Sequence, residues 1–73
     1  MEKQILDIIK VVLETEDIDE TVSQKNCEKW DSMAQLNLVV ELEAEFGIEL
    51  EPEEIGEMIS YNDVCRLVKA KLK

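Results

Sequence analysis

Apolar residues recur at spacings of three and four along most of this chain, and no convincing strand appears. Ile5, Leu6, Ile8, Ile9, Val12 and Leu13 form one such stripe over residues 3–15. Residues 32–46 carry the strongest pattern, followed by Gly47 where a helix C-terminus favours glycine. Ile48 and Leu50 lead to Pro52, which suits the first turn of a short helix over 53–58. Ser60 with Asp63 three residues on approaches a capping box and opens a last helix over 61–72, through Val64, Leu67, Val68 and Leu72. Lys69, Lys71 and Lys73 supply the charge that its C-terminal dipole prefers. Residues 16–31 lose the period and keep only Ile18, Val22 and Trp30 as apolar anchors. A connection of that length usually has a purpose. The expected fold is all-α, a small four-helix bundle with a long first loop and a short third helix, one domain over residues 1–73.

A 73-residue chain buries only about 60% of the surface its unfolded form exposes, so no deep catalytic cleft is expected. Its core supplies roughly 3–5 kcal/mol of net stability. Eighteen acidic residues face eight basic ones, and the formal net charge of −10 argues against nucleic-acid partners. Anionic membrane surfaces are disfavoured for the same reason, and no apolar run approaches the roughly 20 residues of a membrane span. From Asp31 to Cys65 there is no Lys or Arg, while ten residues are acidic. Such a stretch repels itself and suits a partner with a basic surface.

Histidine is absent, which removes a Ser-His-Asp arrangement, the usual zinc sites and a general base near neutral pH. The run Glu16-Asp17-Ile18-Asp19-Glu20 lacks the glycine and spacing of a calcium loop. Two cysteines, Cys27 and Cys65, fall short of a disulfide framework, and Met1-Glu2-Lys3-Gln4 shows no secretory signal. The expectation is a reduced, monomeric, cytoplasmic chain.

The second helix has two apolar arcs. Gln35, Leu38, Val39, Leu42 and Phe46 fall within about 100° of one another, as a core stripe requires. Met33, Leu36, Val40 and Ala44 form a separate arc. Either the helix packs on both sides, or the second arc is partly exposed as a docking strip beside Ser32. At the helix start, Ser32 paired with Gln35 matches a capping box, and Asp31 is an equally good cap. The spare N–H groups and positive dipole end there also suit a phosphate on the Ser32 hydroxyl.

Asp31-Ser32-Met33, then Leu36, Leu38-Val39-Val40-Glu41-Leu42-Glu43 and Glu45-Phe46-Gly47-Ile48, resembles the Asp-Ser-Leu motif and second helix of acyl carrier proteins. The resemblance runs over essentially the whole chain. It implies that a phosphopantetheinyl transferase moves 4′-phosphopantetheine from coenzyme A onto Ser32. The arm's thiol would then carry an acyl or aminoacyl cargo as a thioester between acyl-loading and acyl-transfer enzymes with basic surfaces. The resemblance implies no catalysis by the chain itself. From the second arc of the helix and the acids beside it, partner recognition is expected at Asp31, Met33, Leu36, Val40, Glu41, Glu43 and Glu45.

The chain departs from fatty-acid carriers in several places. Ala34 and Asn37 stand where those carriers commonly place acids, Trp30 where a small aliphatic residue or leucine is usual, and Met33 where leucine is usual. These departures point to a specialised pathway (polyketide, peptide, cell-surface glycan or D-alanine transfer) rather than housekeeping fatty-acid synthesis. The alternative is an unmodified acidic helical adaptor that binds a partner through the Met33–Leu36–Val40 strip.

Overall fold

The computed structural model describes residues 1–72. Its helices are α1 (Glu2–Leu13), α2 (Ser32–Phe46), α3 (Pro52–Gly56) and α4 (Tyr61–Lys71). Ile5, Ile9 and Leu13, spaced by four, place one face of α1 in the core. Leu38 and Leu42 of α2 and Val64 and Val68 of α4 meet them there, with Met58 from the α3–α4 link. All of these except Leu13 are at most 1% exposed, so this is where truncation costs most.

Helix α1 stops two residues short of the expected end at residue 15. Glu14 takes the left-handed conformation, φ 55° and ψ 45°. The Thr15 N–H then reaches Lys10 O at 3.1 Å and the Glu14 N–H reaches Val11 O at 3.2 Å. These are the two bonds of a Schellman ending, made here without a glycine.

The loop that follows is held by its own polar groups. Asp19 Oδ1 accepts from the Thr21 N–H and hydroxyl, at 2.9 and 2.6 Å. Asn26 accepts from Ser23 N–H and donates to Thr21 O. The loop is also pinned across the molecule: Gln24 N–H donates to Ile59 O at 2.8 Å and Tyr61 N–H to Val22 O at 3.0 Å. Buried Val22 and Trp30 anchor it in the core. Extended pairing among the described residues is limited to the Ser23–Ser60 bridge.

Helix α3 covers Pro52–Gly56 rather than 53–58. The Glu51 N–H donates to Glu54 Oε1 at 2.8 Å, fixing its first turn. After Gly56 the Met58 N–H bonds Ile55 O, a tight turn that rotates Met58 inward. Ser60 caps α4 by accepting the Asp63 N–H, while Asp63 Oδ2 accepts from Ile59 N–H. Leu72 was expected in the apolar stripe of the last helix; it lies one residue past α4 and is exposed. Lys73 falls outside the described residues.

Cations on α4 answer acids from the rest of the chain. Lys71 meets Glu54 at 2.8 Å, Lys69 meets Glu2 at 3.0 Å, and Arg66 lies within 3.7 Å of Glu57 and Asp63. The Lys69 and Arg66 pairs are largely exposed and contribute little each, whereas Glu54 and Lys71 are half-buried. Both cysteines are free, Cys27 half-buried and Cys65 buried. No helix among the described residues is long and apolar enough to cross a membrane.

Candidate functional site

The start of α2 is organised by Asp31. Its backbone is extended, and its Oδ1 accepts the Ala34 N–H at 2.9 Å while its carbonyl accepts the Gln35 N–H at 2.9 Å. Asp31 is therefore the cap, and the Ser32–Gln35 capping box is not formed. Ser32 becomes the first residue of the helix. It is exposed, and among the described residues its hydroxyl makes no hydrogen bond. The Ser32 and Met33 N–H groups have no acceptor among the described residues, so they keep the positive end of α2 open to an anion.

Gln35 has a different role. The Trp30 indole N–H donates to Gln35 Oε1 at 2.7 Å, and the Gln35 amide NH2 donates to Ile55 O at 2.8 Å and Met58 O at 3.1 Å. Trp30 is 3% exposed, so its N–H needs an acceptor, and Gln35 is the one supplied. This clasp binds the end of the loop, the first turn of α2 and α3 into one unit behind Ser32. Periodicity places Gln35 on the core arc and does not reveal the clasp. The signal was present: a polar side chain among apolar ones, five residues after the chain's single tryptophan.

The second arc of α2 faces outward. Met33, Leu36 and Val40 are 67%, 58% and 61% exposed, and Ala44 is exposed as well. Helix α2 thus packs on one side, through Ala34, Leu38, Val39 and Leu42. Glu41 and Glu45 stand exposed beside the strip. Glu43, expected as a third free charge, is half-buried instead. Its Oε2 accepts the Leu50 N–H at 2.9 Å and ties α2 to the segment before α3. No acid lies in the first turn of α2.

The model for proteins with a phosphopantetheine attachment site matches residues 3–68. The chain belongs to this phosphopantetheine-attachment family. Among solved structures, the holo acyl carrier protein from Geobacter metallireducens, determined by solution NMR, is similar at 26% identity. The match has a TM-score of 0.86 and covers 97% of this chain and 84% of that one. Among curated proteins nothing matches. Family and fold together make this chain a carrier protein with covalently attached 4′-phosphopantetheine, not an enzyme. The residues at the head of α2 fit the group: an uncommitted hydroxyl on the surface beside open N–H groups is what a phosphodiester requires. Among the described residues no cluster of His, Cys, Asp or Glu is arranged to hold a metal.

Proposed function

We propose that Ser32 is the attachment residue, and that this carrier delivers an acyl or aminoacyl cargo in a specialised pathway. The observation that carries the reading is the division of labour between neighbours. Asp31 caps α2, which leaves the Ser32 hydroxyl exposed and free to react. In the transfer, Ser32 Oγ forms a bond to the pantetheine phosphorus of coenzyme A as the bond to the nucleotide phosphate breaks. The hydroxyl proton passes to a base on the transferase, in keeping with a chain that has no histidine. When bound, the arm supplies a thiol that holds cargo as an activated thioester.

Met33, Leu36 and Val40 form the docking strip for the transferase and for acyl-loading and acyl-transfer enzymes, with Asp31 at its head. Glu41 and Glu45 steer basic partner surfaces toward it. Beyond Ser32 the first turn of α2 carries no acid, so contact on that side is apolar, which fits a dedicated partner set better than a general one. Free thiols at Cys27 and Cys65 fit the reducing cytoplasm. Fragmentation mass spectrometry of the modified chain tests the site. The added group should map to Ser32, and mapping to any other hydroxyl overturns the assignment.

A further inference from the structure

We propose that the phosphopantetheine arm, when not engaged by a partner, lies in a groove between α1 and α2; this rests on Ser32 as its attachment point. Two hollows of 330 and 400 Å³ meet along this face. They share Val12, Glu14 and Asn37 in their walls, which makes them one channel. It begins at Asp31 and Met33, the two neighbours of Ser32, and ends at Val11, Val40 and Glu41. From residue 33 to residue 40 a helix rises about 10 Å, a span the extended arm exceeds.

The chemistry of the walls follows the chemistry of the arm from its phosphate outward. Lys29 is the only cation lining the channel among the described residues, and it lines the same end as Asp31 and Met33. Its ammonium is held by Glu14 O at 3.3 Å, the carbonyl of the residue that ends α1 in the left-handed conformation. A phosphate on Ser32 has a counter-charge there and the open N–H groups of α2 beside it. Midway lies Asn37, exposed and with no side-chain hydrogen bond among the described residues, so its amide is free to pair with an amide of the arm. Val11, 73% exposed, and Val40 face the last methylenes. Leu36 is not in the channel, so it stays available to partners when the arm is at rest. The other side of α2 is closed to the arm, because the Trp30–Gln35 clasp binds α3 there.

The test compares amide and methyl NMR spectra of the apo chain and the chain modified with coenzyme A and a transferase, with intact mass recorded on each sample. Modification should shift the amides of Lys29, Asn37, Val40 and Val11. It should also give contacts between arm protons and the Val11, Val12 and Val40 methyls. Asn37→Asp places a carboxylate midway and, in samples whose intact mass shows them modified, should abolish the Val11 and Val40 responses. A mass increase with shifts confined to residues 31–34, or centred on Ile55 and Met58, overturns the resting groove and leaves the attachment site standing. An unchanged mass on wild type overturns the attachment reading, and the groove with it.

Discussion

Trp30 and Gln35 are joined by a 2.7 Å hydrogen bond from indole N–H to amide oxygen, and the same amide bonds the carbonyls of Ile55 and Met58. One side chain therefore serves three buried or half-buried polar groups at once. The indole N–H is the costly group to strip, since Gln35 is its one acceptor among the described residues, whereas Ile55 O keeps the Met58 N–H and Met58 O keeps the Gln24 side-chain amide at 3.4 Å.

Gln35→Leu keeps the size of the side chain and removes both the acceptor and the donors. It should destabilise by about 1–3 kcal/mol and loosen α3. Urea unfolding followed by tryptophan emission measures both the loss and the altered indole environment. Unchanged stability would show that water replaces the clasp.

Two leucines on α2 separate the core from the proposed docking strip. Leu42 is fully buried and Leu36 is 58% exposed. Leu42→Ala should cost about 2–5 kcal/mol, whereas Leu36→Ala should stay within about 0.5 kcal/mol. Leu36→Ala should nevertheless slow modification by the transferase, through contact rather than folding. Large, equal destabilisation by both changes would mean α2 packs on two sides in solution.

Glu14 holds φ 55° with a side chain that disfavours it. A non-glycine residue there costs roughly 1–2 kcal/mol, and glycine loses about 0.5–1 kcal/mol of that advantage through unfolded-state entropy. Glu14→Gly should therefore stabilise, by up to about 1.5 kcal/mol. Gly47→Ala, at φ 64°, should do the opposite. Thermal unfolding of both variants decides the sign of each.

The Lys71 ammonium holds the Glu54 carboxyl below its ordinary value of 4.5, and Glu54 raises Lys71 above 10.5. Glu54 thus contributes stability that is present above pH 4.5 and lost as pH falls through its lowered value. Lys71 contributes stability that is present below pH 10.5 and lost as pH rises through its raised value. Melting temperatures of wild type and Glu54→Gln should differ at neutral pH and converge below the Glu54 value. A gap that persists unchanged into acid would show that the pair does not act through charge.

Helix order is legible in the sequence because apolar spacing alone distinguishes three of the four helices, and Pro52 marks the short one. The ends are less so. No glycine announces the left-handed residue after α1, since Glu14 takes that role. At the site, spacing cannot choose between Asp31 and Ser32 as cap, because both carry a short oxygen-bearing side chain. Periodicity puts Met33, Leu36 and Val40 on one face, but it does not say whether another helix covers that face. Glu43 lies at the edge of that stripe, and only the fold of the Leu50 segment turns it inward.

The role of Ser32 is tested most directly by intact mass after incubation with coenzyme A and a phosphopantetheinyl transferase, comparing wild type, Ser32→Ala and Asp31→Ala. Ser32→Ala should melt with wild type, because its hydroxyl caps nothing, while Asp31→Ala should lose about 1 kcal/mol of capping. Wild type should gain one phosphopantetheine group and Ser32→Ala none. A folded Ser32→Ala variant that gains the same mass as wild type would contradict the assignment.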